Sequence, residues 1–503
     1  MKQKTGDIKA RMDVDRVTPT GHPNYKVYLS DDAIKSLVCR SLPDIKNKHI
    51  TVEQLGSGKS FNNRIYYIHL STPTSIARPS WNGGAVDVTK NPTREEVTSL
   101  VLKISGFPFG GEKIQNELCC LLLFEKYCPS IPAPKLVAWS EDGRRIKTPV
   151  DRRGSRERSA SAPTQLKSLT LEDETAKSRE ETNGQGWLLM TRTPGRTITQ
   201  EDLVAHGKVL MDEIAGHVAT WRKCLPPTRA VGNMRLIGSK SIPHPAATLY
   251  DKAILPGLDV YIQGIIIKKD RPQSPLTSHL EYISYIFRSN IKALQADALM
   301  GLHKEEVRDV VRQFMKDTLP KLSLLNNEKQ TAEYMAFTHY DISPRNVLVE
   351  QARQRRPTND NSPPRVSVCA VIDFEFAGFY PPPEEFTHTV ENSQSEWAVT
   401  LFGELLAAVD RRGALPACIA ENVRPEPMDG VVIGFGGDEH FPFGGPEFHQ
   451  AVLLHRIATN IAPWWIKESS GYTPDELRKE LDDARARIEK AIQVLQKMAK
   501  RNK

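Results

Sequence analysis

The sequence predicts an α+β fold, with a β-rich first part followed by one helix and a larger, mainly helical second part. Short β-rich runs lie at 50–55, 64–70 and 101–105, in the first quarter of the chain. Helical spacing of apolar residues dominates the second half. The length of 503 residues excludes a single small module.

Length and composition set the organisation that we expect. Hydrophobic residues make up 39% of the chain and charged residues 26%, which suits globular domains. We expect an N-terminal extension over 1–49, a small lobe over 50–190, a helical lobe with the catalytic loop over 191–472, and a C-terminal helix over 473–503.

Charge and hydropathy exclude several classes of protein. The chain has no run of eighteen apolar residues, and its first residues are charged, so we expect neither a membrane span nor a secretory signal, and a cytoplasmic location. The net charge of +7 does not call for a nucleic acid or a membrane as partner. Seven scattered cysteines without a C-x-x-C pair favour reduced thiols over a zinc site. The oligomeric state stays open.

The elements of the small lobe follow in order. A Gly56-Ser57-Gly58 turn joins the first two β-rich runs, and 101–105 supplies a third strand. Residues 112–127 carry apolar side chains at helical spacing and stop before Pro129, which predicts a helix after the third strand. The apolar run 187–190 is a fourth strand candidate.

Three stretches read as insertions into a shorter core. Residues 71–96 predict a long loop, and 141–186 predict disorder because they are basic, Ser-rich and too polar to be buried. Residues 351–364 separate two β-rich runs and predict an expanded hairpin connection.

Helices are predicted at 202–224, 277–298 and 303–319. The last predicted helix starts with a capping box, in which Thr473 and Glu476 flank a proline at the first helical position. Its apolar stripe recurs from Leu477 to Met498, and we expect it to pack within the chain.

The strongest chemical signal is the pattern H-x-D-x-x-x-x-N, from His339 through Asp341 to Asn346, followed by a β-rich run. This is the catalytic-loop pattern of enzymes that transfer phosphoryl groups on a kinase fold. In such a loop the carboxylate of Asp341 would accept the proton of an attacking hydroxyl, and the amide oxygen of Asn346 would bind a metal ion. Asp373 ends the next apolar strand, where a carboxylate would chelate the same metal.

A lysine and an acidic partner precede these motifs. Lys103 lies among apolar residues of the third strand, and Glu117 lies on the helix after it, as an ion pair that holds a lysine on nucleotide phosphates requires. The turn that ends in Lys59 and Ser60 is not a Walker A motif, because position 53 is Glu53 instead of glycine. A turn with exposed backbone amides that covers phosphates is the better interpretation.

Four segments together resemble the aminoglycoside phosphotransferase family in its broad sense, particularly its fungal members of unassigned substrate. The segments are 114–139, 187–195, 337–349 and 371–382, and the similarity spans roughly residues 50–400. Tyr340 departs from the family pattern, which usually has Gly or Asn there.

The resemblance implies a protein-kinase-like fold of two lobes, a small lobe built on an antiparallel β-sheet with one helix and a larger, mainly helical lobe. It also implies a nucleotide between the lobes and an ATP- or GTP-dependent, Mg²⁺-dependent transfer to a small hydroxylated molecule. It implies that Asp341 is the catalytic base and that Asn346 and Asp373 bind Mg²⁺. The nucleotide site that it implies consists of Gly56, Ser57, Gly58, Lys103, Glu117, Leu189, Met190 and Thr191.

Other readings remain open. A protein kinase is disfavoured because the segment from Asp373 to Glu375 lacks the glycine of D-F-G and no A-P-E follows. Choline-type kinases share an I-D-F-E segment, so an amino-alcohol acceptor remains possible. A nucleotide-binding scaffold that has lost transfer is the non-enzymatic alternative. Segments 376–385 and 429–439 are aromatic or acidic and are candidates for the acceptor site, although solvated loops are commoner.

Overall fold

A computed structural model gives the architecture of the chain. It describes residues 22–55, 60, 62–78, 81–82, 85–86, 93–107, 110–149, 185–226, 228–236, 260–266, 272, 274–301, 303–326, 334–351, 366–387, 399–420, 443–466 and 472–501.

A five-stranded antiparallel sheet forms the N-terminal part of the molecule, in the order β1-β2-β5-β7-β6. Its elements and those packed on it are α1 (Asp31–Ser41), β1 (Ile50–Gln54), β2 (Asn63–Arg78), β3 (Trp81–Asn82), β4 (Ala85–Val86), β5 (Thr93–Ser105), α2 (Gly110–Tyr127), β6 (Leu136–Ser140) and β7 (Trp187–Thr191). The predicted strands and the predicted helix are confirmed.

Residues 27–42 pack on this sheet. Val27, Ile34 and Val38 are fully buried and share a core with strand residues such as Ile68 and Leu100. Ser30 caps α1, because its side chain accepts a hydrogen bond from the Ala33 amide. The sequence analysis treated this region as an extension and missed the helix.

The predicted loop at 71–96 is wrong for much of its length. β2 continues to Arg78 and β5 begins at Thr93, and the two strands pair again from Thr74 to Arg78 after an irregularity. The side chains of Thr74, Ile76 and Arg78 are buried, whereas those of Ser75 and Ala77 are only partly buried. The period-2 alternation of a strand was therefore present, although the Ser, Thr and Pro content of this run had indicated a loop.

The C-terminal part is mainly helical, with short strand pairs between the helices. Its elements are β8 (Arg196–Thr197), α3 (Gln200–Cys224), β9 (Asn233–Leu236), β10 (Val260–Gly264), α4 (His279–Ala296), α5 (His303–Asp317), α6 (Ser323–Asn326), β11 (Ala336–Thr338), β12 (Val347–Gln351), β13 (Val366–Val371), β14 (Gly378–Tyr380), α7 (Val399–Arg411), α8 (Ala417–Ala420), α9 (Pro446–Ile461) and α10 (Pro474–Arg501). The α+β prediction of a sheet followed by a helical part is therefore confirmed.

Two further predictions are confirmed by pairing and packing. β12 and β13 form an antiparallel hairpin, as predicted for the flanks of 351–364. The capping box forms, with Glu476 accepting from the Thr473 amide at 2.8 Å, and α10 packs on α9 and α5. Disorder was predicted for residues 141–186, of which 150–184 lie outside the described residues. The prediction is wrong for 141–149, because Lys147 pairs with Trp139 of β6 and Glu141 is buried.

The seven cysteines are free thiols. Among the described helices, none is both long and apolar enough to cross a bilayer.

Candidate active site

One cavity lies where the sheet meets the helical part. Its volume of about 1440 Å³ exceeds the roughly 300–1,000 Å³ of a pocket for a single small ligand. Strands β2, β5 and β7 line one side, and the loop at 340–346 with helices α4 and α9 lines the other. The cavity therefore has room for two ligands that meet between these walls.

Lys103 is the centre of a charge cluster in this cavity. Its Nζ lies 2.7 Å from Glu117 Oε2, 2.6 Å from Asp373 Oδ1 and 3.0 Å from Glu375 Oε2. β5 supplies the lysine, α2 supplies Glu117, and the segment after β13 supplies both other carboxylates. The structure thus brings Lys103, Glu117 and Asp373 into contact, as the sequence analysis predicted for one site, although Lys103 and Asp373 are 270 positions apart in the chain.

Glu375 was not predicted as a site residue. Its carboxylate accepts hydrogen bonds from Asn62 Nδ2 at 3.0 Å and Asn63 Nδ2 at 2.6 Å, and it lies 3.5 Å from Lys113 Nζ. Asn63 is the first residue of β2, and Asn62 precedes it. Glu375 therefore ties the start of β2 to the Asp373 segment. The sequence signal for it was an acidic residue two positions after Asp373, which is the predicted metal ligand.

Asn116, next to Glu117 on α2, holds the same segment from the other side. Its Nδ2 donates to the carbonyls of Glu375 at 2.9 Å and Ala377 at 2.8 Å, and its Oδ1 accepts from the Met234 amide at 2.7 Å. A single buried amide thereby connects α2 to strand β9 and to the segment between β13 and β14.

The ionisable groups of this cluster have pKa values that shift in different directions. Burial by itself would lower the pKa of Lys103, but the carboxylates of Asp373, Glu117 and Glu375 raise it well above its usual value, so the lysine is charged. Burial and the neighbouring Glu375 raise the pKa of Asp373 to about 7. Burial would raise the pKa of Glu375 as well, yet Lys103 and Lys113 hold it low. Glu375 is therefore the permanently charged counterion.

Asp341 and Asn346 lie together on the opposite wall. Asn346 Nδ2 donates to the Asp341 backbone carbonyl at 2.8 Å and to its Oδ2 at 3.0 Å, while Arg345 contacts Oδ1 at 2.7 Å. The Asp341 side chain is 24% exposed, so it is accessible from the cavity. These bonds fix the carboxylate in a defined orientation.

His339 and Glu385 support this loop from within the core. His339 is fully buried, its Nε2 lies 2.9 Å from the Ile372 carbonyl, and its backbone amide donates to Glu385 Oε2 at 2.7 Å. Burial lowers the pKa of His339 to about 4, so the ring is neutral and joins the loop to the strand end before Asp373.

Two site residues have left-handed backbone conformations. Tyr340 has φ +72° and Asp373 has φ +69°. Such geometry costs a non-glycine residue about 1–3 kcal/mol and concentrates at functional sites. The value at Tyr340 gives a physical reason for the expected Gly or Asn there, since both residue types adopt this region readily.

Some of the residues predicted to bind the nucleotide line the cavity, and others do not. Met190 and Thr191 line the cavity, and so do Arg192 and Thr193 after them, which were not predicted. The Leu189 side chain is fully buried in the core of the sheet and does not line the cavity. Gly56, Ser57 and Gly58 lie outside the described residues.

An N-terminal segment contributes to the same wall. Pro23 lines the cavity, and Asn24 Nδ2 donates to the carbonyls of Ser60 at 3.1 Å and Asn63 at 2.7 Å. Arg64 in turn donates to the Asn24 carbonyl at 2.8 Å. Residues that the sequence analysis assigned to an extension thus hold the start of β2.

Two oxygen donors that line the cavity, on Asp373 and Asn346, suit a hard divalent cation. The carboxylates of Glu117 and Glu375 have oxygens within 4.8 Å of that of Asp373, but the ammonium group of Lys103 contacts all three and neutralises them, so they are not counted as metal ligands. The Asn346 amide nitrogen is used on Asp341, which leaves its oxygen for a cation. Carboxylate and amide oxygens are the ligands that Mg²⁺ prefers.

Comparisons with known proteins were made on sequence and on structure. No family model matches the chain, and no curated protein sequence matches it. The fold is similar to the aminoglycoside phosphotransferase APH(2'')-Ib in its ADP-bound form, at 11% identity and a TM-score of 0.43 over 92% of this chain and 99% of that one. It is also similar to APH(4)-Ia, at 12% identity and a TM-score of 0.41 over 92% and 99%, and to the gentamicin complex of APH(2'')-IIa, at 11% and 0.40 over 93% and 96%. Scores this low assign neither a family nor an activity to the chain, so its function is argued from the geometry of the site.

Proposed function

We propose that the protein transfers the γ-phosphoryl group of a nucleoside triphosphate to a hydroxyl group of a small molecule. The contact of Lys103 with both Glu117 and Asp373, opposite Asp341 and Asn346 in one cavity, carries this proposal. Each of these residue types has a role in phosphoryl transfer, and the fold brings them together from four separate segments.

Each residue has a defined role. Lys103 would neutralise charge on the nucleotide phosphates, and Glu117 holds the lysine in place. Asp373 and Asn346 would hold Mg²⁺, which supplies further neutralisation of the phosphoryl group when bound. Asp341 would orient the acceptor hydroxyl and accept its proton. Catalysis would rest on positioning and electrostatics, with ATP or GTP between β7 and β12 as the donor.

The test is transfer of label from γ-labelled ATP with Mg²⁺ and a desalted metabolite extract, comparing wild type with Asp341→Asn. A positioned general base contributes about 10²–10⁴-fold to rate, so the variant should lose at least about 100-fold while it still binds ATP. Asp309→Asn, which removes an exposed carboxylate on α5, is the matched control and should retain full transfer.

The fate of the label distinguishes the alternatives. Label in a metabolite, dependent on Asp341, supports the small-molecule phosphotransferase. Label on protein instead would favour a protein kinase, and ATP binding without transfer to either would favour the scaffold reading.

A further inference from the structure

Beyond Asp341, the cavity ends in an aromatic corner with one buried carboxylate. We define this acceptor corner as Tyr282, Tyr340, Phe376 and Glu384, all of which line the cavity. Tyr282 Oη donates to Glu384 Oε2 at 3.2 Å and lies 3.4 Å from Tyr340 Oη. The corner adjoins the candidate base directly, because Tyr340 precedes Asp341 in the chain.

Glu384 lacks a charged partner among the residues that the structure describes. It is 1% exposed, and its contact with a basic side chain is to His279, whose Nε2 lies 3.8 Å from Glu384 Oε1. Burial lowers the pKa of His279 to about 3, so this ring is neutral. Burial also raises the pKa of Glu384 to about 7, which is the penalty of a buried acid without a cation.

The wall next to the corner is largely aliphatic, and Asn290, His455 and Thr459 of the same two helices add polar groups to it. Ile283 and Ile286 from α4 and Ala458 and Ala462 from α9 and its C-terminal end line the cavity, and Trp464 lies beside them with 63% of its surface exposed. An exposed tryptophan beside aliphatic side chains offers a flat surface for an apolar group. This wall continues the corner away from Asp341.

We propose that the acceptor is an alcohol with a single amino group and an apolar body. Its ammonium group would lie against Glu384 and the rings of Tyr282 and Tyr340, where a carboxylate and aromatic faces both attract a cation. Its apolar part would lie along the wall that ends at Trp464, and its hydroxyl would reach Asp341. This proposal rests on the proposed phosphotransferase function.

Binding of a matched pair of ligands tests the corner without any transfer step. Calorimetry would compare phenylethanolamine with the isosteric alcohol that carries a methyl group in place of the ammonium group, and with gentamicin as a polyamine. Wild type should bind phenylethanolamine at least tenfold more tightly than either. Glu384→Gln should reduce this preference to less than twofold, while Trp464→Ala should weaken both matched ligands equally.

Several results would overturn the proposal. They are equal affinity for the matched pair, tighter binding of gentamicin, no binding of phenylethanolamine, or a preference that survives in Glu384→Gln. Tyr282→Phe keeps the ring and the acid and should keep the preference. Unchanged binding of the neutral matched alcohol by Glu384→Gln shows that this variant is folded. Because binding needs no nucleotide, a negative result here leaves Asp341-dependent transfer to be judged by its own experiment.

Discussion

Replacing Glu375 with Gln would remove one negative charge from the buried cluster around Lys103 and leave its shape almost unchanged. The carboxylate is 1% exposed and receives nitrogen atoms of two lysines and two asparagines, Lys103 at 3.0 Å, Lys113 at 3.5 Å, Asn62 at 3.0 Å and Asn63 at 2.6 Å. The amide of Gln offers one acceptor oxygen and turns an NH₂ group toward these donors.

Removing one partner of a buried ion pair costs about 3–5 kcal/mol, because the remaining charge stays desolvated. Lys103 keeps two other carboxylates, and Lys113 keeps its bond to the Asn62 carbonyl at 2.8 Å, so the lower end applies. We therefore expect Glu375→Gln to lower the free energy of unfolding by about 3 kcal/mol.

Urea denaturation followed by circular dichroism measures this loss. Glu404→Gln is the matched control, since Glu404 pairs with Lys208 at 3.5 Å on the surface, where such pairs contribute at most about 1 kcal/mol. If Glu375→Gln costs no more than this control, the buried cluster is not held together by the charge of Glu375 and the reasoning fails.

Three further outcomes follow from burial and hydrogen bonding. Asn24→Ala removes the donor to Ser60 and Asn63, so it should weaken ATP binding and leave phenylethanolamine binding unchanged in calorimetry; equal loss of both would contradict the assignment. Leu495→Ala should cost about 2–5 kcal/mol in urea denaturation, because Leu495 is fully buried and anchors α10; a loss below 1 kcal/mol would show a loosely packed helix. The pKa of Glu384 rises from 4.5 to about 7 on folding, so the unfolded chain releases this proton first as pH rises. Wild type should therefore lose stability relative to Glu384→Gln between these values, by about 1.4 kcal/mol per pH unit, and parallel pH profiles in urea denaturation would refute this.

The sequence predicted the elements whose periodicity decides their structure. The predictions agree with the structure for the strands around Lys103, the helix that bears Glu117 and the capped terminal helix. Each of these elements buries one face, so its apolar residues recur in the sequence with the period of a helix or a strand. The prediction for residues 71–78 was wrong because Ser, Thr and Pro are typical of loops. Their presence hid the alternation of buried and less buried side chains along β2.

Contacts between segments that are distant in the sequence could not be predicted from local sequence patterns. Nothing near Asn24 in the sequence indicates that it donates to the Asn63 carbonyl. Nothing near Asn116 indicates that it donates to the carbonyls of Phe374, Glu375 and Ala377. A buried asparagine is specified by the backbone groups that surround it in the fold, which the sequence does not order in space. The roles of Asp341, Asn346 and Asp373 were predicted from the motif and from the family resemblance, and the structure adds the partners that orient these side chains.

The two left-handed residues show why this site departs from local rules. Asp373, at φ +69°, lies two residues after the end of β13, and its carboxylate contacts Lys103. Tyr340, at φ +72°, packs its ring on that of Tyr380, with 4.8 Å between the ring centroids. The next residue, Asp341, lines the cavity. Glycine at 340 would adopt the backbone more easily but would remove the ring that closes the acceptor corner. The cost of about 1–3 kcal/mol at Tyr340 is therefore offset by ring burial, and it places an aromatic face one residue from the candidate base.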